Sequence, residues 1–130
     1  MPRVLVIDDQ ADVRAMMAIV LRVNHFEVVE TASAASGLKV FDESSFDAAI
    51  VDIFLAESNG FDVIAALRER VPTLPIVAVS GMTALDFMSQ SADFSNVQCL
   101  RKPFRPNELI RAIAAAGELV QPRAGIAAAV

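Results

Sequence analysis

The sequence predicts an α/β domain, a five-stranded parallel sheet with helices on both faces. Three observations carry that expectation. Runs of about four branched apolar residues recur along the chain, and each stops at a polar residue. Stretches with helical apolar spacing separate them. The whole alternation fits into 130 residues, room for one domain.

The first run is Val4-Leu5-Val6-Ile7. Apolarity without alternation suits a strand buried on both faces, as in a parallel sheet. Val13, Met16, Met17, Val20 and Leu21 then follow helical spacing. Glu27–Thr31 is a weaker strand, and Ala34–Glu43 a helix with Ala34, Leu38 and Phe41 on one face. Ala48-Ala49-Ile50-Val51 is the third strand. Phe61–Arg70 places Phe61, Ile64, Ala65 and Leu67 together, with Pro72 just beyond its end. Ile76-Val77-Ala78-Val79 is the fourth strand. Thr83–Ala92, with Leu85, Met88 and Ala92, is the weakest helix. Val97–Leu100 makes the fifth strand, and Asn107–Gly117 the last helix, with Pro106 at its start. Such alternation implies right-handed βαβ crossovers and a flavodoxin-like doubly wound (βα)5 sheet. The domain is expected to span residues 1–120, with 121–130 a frayed tail.

A chain that is 55% hydrophobic and 21% charged is not intrinsically disordered. One cysteine, Cys99, excludes an internal disulfide framework and a cysteine-rich zinc site. A net charge of -5 argues against nucleic acid or an anionic membrane as the main partner. The first apolar run is too short for a signal peptide, and no window approaches the ~20 apolar residues of a spanning helix. A cytoplasmic location is expected.

In doubly wound sheets, ligands sit beyond the carboxyl ends of the strands. Asp8 and Asp9 follow the first strand, Asp52 the third, Ser80 the fourth and Lys102 the fifth. Three carboxylates, a hydroxyl and an ammonium should therefore meet on one rim. Crowded carboxylates hold protons or a cation. An all-oxygen set suits Mg²⁺, which shares its coordination sphere with phosphate. A carboxylate can itself become the nucleophile and form an aspartyl phosphate, with the metal and lysine neutralising charge on the transferring group.

In these residues the chain resembles the CheY-like receiver domains of two-component response regulators. The matching positions are Asp8-Asp9, Asp52-Ile53-Phe54-Leu55 with Asn59-Gly60, Ser80-Gly81, and Lys102-Pro103-Phe104. The likeness runs over about residues 3–118. It implies that Asp52 accepts a phosphoryl group from a phosphohistidine of a sensor kinase or phosphotransfer protein. It implies that Asp9 ligates Mg²⁺ directly, Asp8 mostly through water, and the backbone carbonyl of Phe54 as well. Ser80 would follow the phosphoryl group inward, Lys102 would pair with Asp52 and then with phosphoryl oxygens, and the Lys102–Pro103 peptide would be cis. Output would run through a downstream protein or a homodimer, using the fourth predicted helix, the fifth strand and the last helix. The domain would catalyse only its own phosphorylation and dephosphorylation.

Three positions depart from the family pattern. Cys99 stands where an aromatic switch residue is common, and the chain has no Tyr or Trp. Phe54 and Met82, two positions after Asp52 and Ser80, are large and apolar where polar residues can orient an attacking water. Slow self-dephosphorylation is the expectation. Ala56 replaces a usual loop proline.

Other functions are weaker. An aspartate-nucleophile phosphatase needs an acid two residues after its nucleophile, where Gln10 and Phe54 stand. A flavin or nucleotide binder needs a Gly-rich first loop, not Asp8-Asp9-Gln10-Ala11-Asp12. A phosphorylation-independent pseudo-receiver remains the alternative. Taken singly, the residues have blander readings. Asp9 with Asp12 could cap the first helix, Cys99 could be a buried inert thiol, His25 a solvated loop residue, and Arg68, Glu69 and Arg70 a solvated helix end.

Overall fold

The computed structural model describes residues 1–81 and 96–120. The elements run β1 (Arg3–Ile7), α1 (Ala11–Val23), β2 (Glu27–Thr31), α2 (Ala34–Glu43), β3 (Ala48–Asp52), α3 (Gly60–Arg70), β4 (Ile76–Ser80), β5 (Gln98–Arg101) and α4 (Pro106–Val120). The predicted helix at 83–92, Met82 and the tail at 121–130 lie outside the described residues. Strand β2 and helix α2 match their expected bounds, and the other expected ends shift by no more than three residues, the usual uncertainty of helix and strand ends.

The five strands form one parallel sheet in the order β2-β1-β3-β4-β5. The direction of winding reverses between β1 and β3, which pair Val4 with Ala48 through Ile7 with Val51. That reversal opens a crevice over the carboxyl ends of these two strands. Every residue of β3 and β4 is buried, as their unbroken apolarity demands when helices cover both faces.

The pleat sends alternate residues to two cores. Val4, Val6, Ile50, Val77 and Val79 face α1 and α4, against Met17, Leu21, Leu109 and Ile113. Leu5, Ile7, Val51, Ile76 and Ala78 face α2 and α3, against Phe41, Val63, Ile64 and Leu67. Burying each such aliphatic side chain contributes about 1.5–3 kcal/mol. In α3 the buried row is Val63, Ile64 and Leu67, and Ala65 faces solvent instead.

Local chemistry sets the helix ends. Ser33 caps α2 by accepting from Ser36 N (3.1 Å), and Asn59 caps α3 by accepting from Phe61 N (2.8 Å). At the end of α1, His25 adopts a left-handed conformation (φ 69°). Phe26 N donates back to Leu21 O (3.0 Å), so His25 closes a Schellman-type turn. It is exposed, as a solvated loop residue should be. Arg68 is not a solvated end. Its guanidinium donates to the carbonyls of Leu74 (3.0 Å) and Asn96 (2.9 Å), tying α3 to the loop before β4 and to the approach to β5. No helix among the described residues is long and apolar enough to cross a membrane.

Candidate functional site

Four of the five strands, β1, β3, β4 and β5, deliver a polar residue to the same rim. Asp8 follows β1 and continues its ladder, its N–H donating to Thr31 O (3.1 Å). The carboxylate is buried. Oδ1 accepts from Gln10 N (2.8 Å), and Oδ2 has no aligned hydrogen-bond donor among the described residues. The Lys102 ammonium lies 3.3 Å from Oδ2, an ion pair without hydrogen-bond geometry.

Asp52 ends β3 and is also buried. Its Oδ1 accepts from Phe54 N (3.1 Å), and its Oδ2 from Lys102 Nζ (3.3 Å). Asp9 is half-buried, with Oδ2 accepting from Ala56 N (2.7 Å). Ala56 belongs to the loop after β3, which an isolated bridge between Phe54 and Asn59 closes. The helix-cap reading of Asp9 is therefore corrected. The N-cap position belongs to Gln10, and the Asp9 side chain spans to the facing loop instead.

Ser80 ends β4, buried, and its carbonyl accepts from Lys102 N (2.8 Å). This bond extends the β4–β5 ladder by one residue and aims Lys102 at the acids. The Lys102–Pro103 peptide is cis. Phe54 is 48% exposed at the mouth. With Asp9, Gln10, Asp52, Gly81 and Lys102 it lines an open cleft of about 350 Å³. Cys99, on β5, is half-buried rather than buried, because β5 is an edge strand. Its burial still pushes the thiol pKa up, which suits an unreactive thiol.

One carboxylate oxygen from each of Asp8, Asp9 and Asp52 lies within 4.8 Å of the other two. At that separation two like charges repel by about 3–4 kcal/mol at an effective dielectric near 20. Burial, and then the Asp8 charge, raise the pKa of Asp52, while Lys102 and the Phe54 amide pull it partly back. One lysine leaves three acids with an excess of two negative charges. A divalent cation matches that excess. The donor set fits Mg²⁺: hard carboxylate oxygens, a buried oxygen short of donors, and an open cleft for its waters.

Sequence reasoning overlooked two contributors. Gln10 Oε1 accepts from Lys102 Nζ at 2.8 Å, its shortest polar contact. A pair 92 positions apart carries no local signal. Gly60 lies against the end of β3. A Cβ there would collide with the Asp52 carbonyl oxygen and sit 2.5 Å from Ile53 Cα. The Asn59-Gly60 dipeptide did signal a turn, but not this contact.

Comparisons with known proteins agree on one kind of chain. A family model described as the response regulator receiver domain matches residues 4–114. The transcriptional regulatory protein PrrA of Mycobacterium tuberculosis is 32% identical over 114 residues, covering 88% of this chain and 49% of that protein. A putative response regulator NtrX-like of Rickettsia bellii is 27% identical over 109 residues, covering 82% and 23%. The chain thus spans between a quarter and half the length of these curated relatives. Among solved structures, a sensor protein from Polaromonas sp. JS666 superposes with a TM-score of 0.83 at 29% identity, covering 92% of this chain and 98% of that one. A response regulator receiver domain protein from Clostridium thermocellum gives 0.81 at 26%, covering 91% and 95%.

Proposed function

The chain belongs to the response regulator receiver domain family, and from that premise we propose that it accepts a phosphoryl group onto Asp52 with Mg²⁺. The donor is a phosphohistidine on a sensor kinase or a phosphotransfer protein. One observation carries the reading: three carboxylates crowd within 4.8 Å beside a single lysine at the carboxyl ends of β1 and β3.

The carboxylates of Asp8, Asp9 and Asp52 and the backbone carbonyl of Phe54 would hold the metal. Once bound, the ion neutralises charge on the phosphoryl oxygens. An Asp52 carboxylate oxygen attacks phosphorus, the P–N bond breaks, and the departing imidazole keeps the electron pair. Lys102 turns from the carboxylate to a phosphoryl oxygen. Ser80 then donates its hydroxyl hydrogen to another. The Asp9–Ala56 bond holds the loop after β3 against the acid pair throughout.

The output is protein contact, through the region of residues 83–92, β5 and α4, and the location is cytoplasmic. Cys99 takes the place of the usual aromatic switch on β5. Phe54 at the mouth, together with Met82, leaves no polar side chain at those two positions to orient a hydrolytic water. The aspartyl phosphate should therefore be long-lived, and a lifetime of only seconds would count against this part.

Incubation with acetyl phosphate and Mg²⁺, read by intact mass, tests the whole. Wild type should gain one phosphoryl group, and Asp52→Asn none. A wild type that stays unmodified would instead be the phosphorylation-independent binding module.

A further inference from the structure

Gln10 stands at the N-cap of α1, where Ser, Asp or Asn would stabilise the helix by bonding a free amide. Its side chain makes no capping bond. It reaches across the acids instead, and Oε1 takes a hydrogen from Lys102 Nζ at 2.8 Å. The same residue's N–H donates to Asp8 Oδ1 (2.8 Å), and its carbonyl accepts from Arg14 N (2.9 Å). Gln10 is thus fastened at both backbone ends while its side chain holds the lysine.

An ammonium has three N–H bonds and no acceptor. Among the described residues, Lys102 has three oxygen neighbours: Gln10 Oε1 at 2.8 Å, and Asp8 Oδ2 and Asp52 Oδ2, both at 3.3 Å. The nearest is the uncharged one. A lysine drawn only by carboxylates would be free to settle wholly on one of them. A neutral acceptor on the third side fixes the ammonium between the two without adding a fourth negative charge where a phosphoryl group must land.

We propose that Gln10 is a positioning residue, whose amide oxygen poises the Lys102 ammonium between Asp8 and Asp52. The inference rests on the phosphoacceptor reading only for its consequence, faster phosphoryl transfer. The hydrogen bond itself is measurable without transfer.

Gln10→Met keeps the length and loses the acceptor, and Gln10→Glu keeps an acceptor and adds charge. The metal-free protein, carrying isotope-labelled lysine, is examined by NMR for the hydrogen exchange of the Lys102 ammonium, with Lys102→Met assigning the signal. Wild type should show a protected ammonium, Gln10→Met should lose the protection, and Gln10→Glu should keep it. In the acetyl phosphate reaction with Mg²⁺, Gln10→Met should be slower by roughly three- to tenfold, with its Tm unchanged. Gln10→Glu should also be slower, from the added charge. Equal protection and equal rate in wild type and Gln10→Met overturn the proposal. If no wild-type protein gains a phosphoryl group, the phosphoacceptor reading fails, and the ammonium measurement still decides whether Gln10 holds the lysine.

Discussion

The two ends of the sheet are built on opposite electrostatic terms. At the amino end, charges are exposed and matched. Arg3 pairs with Glu27 (3.0 Å), and its backbone N–H donates to Asp47 Oδ2 (2.7 Å). Arg70 at the end of α3 grips Asp42 near the end of α2 (2.6 Å). At the carboxyl end, three acids crowd around one lysine, two of them buried, with one oxygen lacking a hydrogen-bond donor among the described residues. One sheet carries both rims, the one matched in charge and the other crowded with like charges. The proposed binding chemistry lies where repulsion is stored, because a cation or a phosphoryl group would relieve it there.

The strongest break of this contrast is Asp52→Asn. Phosphoryl acceptance measured by intact mass should vanish. The metal-free variant should also be more stable by about 1–2 kcal/mol in thermal unfolding, since a buried charge beside Asp8 is removed. A variant less stable than wild type would deny that the carboxyl rim is under electrostatic strain.

Gly60→Ala comes next. Its Cβ cannot coexist with the backbone of Asp52 and Ile53, so the end of β3 must shift. A loss of about 2–4 kcal/mol in denaturant unfolding is expected, with slower phosphorylation in whatever remains folded.

Acid should separate the two ends by sign. The pKa of Asp52 is raised, so its contribution to stability is complete below the unfolded value near pH 4 and is lost as pH rises through the folded value. Asp42 is lowered, chiefly by its hydrogen bond from Arg70, so its contribution is present above the unfolded value and is lost as pH falls through the folded one. Chemical unfolding of the metal-free protein between neutral pH and pH 4 should therefore show a component that favours acid, absent from Asp52→Asn. Extended below pH 4, where the lowered pKa of Asp42 places its window, the same titration should show an opposite component that Asp42→Asn removes. Added Mg²⁺ should stabilise wild type more as pH rises through the raised pKa of Asp52, because proton and metal compete for that carboxylate.

The smallest effect belongs to the amino end. Arg3→Met breaks an exposed pair and should cost under about 1 kcal/mol, leaving the phosphorylation rate unchanged.

Much of this was readable in the chain. Unbroken apolar runs reported strands covered on both faces, and the residues that ended them were the ones the site uses. What was not readable shares one property. Asp9 finds Ala56, 47 positions on, and Lys102 finds Gln10, 92 positions back. Arg68 finds Asn96. Their partners lie across the fold, where neither periodicity nor propensity reaches. Cys99 looked buried in an apolar strand, but strand order puts that strand at an edge.

By itself the sequence determined the alternation of strand and helix, the two-sided burial of β1, β3 and β4, and which acids and lysine stand at strand ends. Those are consequences of side-chain type and spacing along one chain. Only the tertiary structure decided how close the acids come, which oxygen is left without a donor, and which neutral group holds the lysine. Those depend on strand order and register, which set distances between residues that the backbone itself leaves far apart.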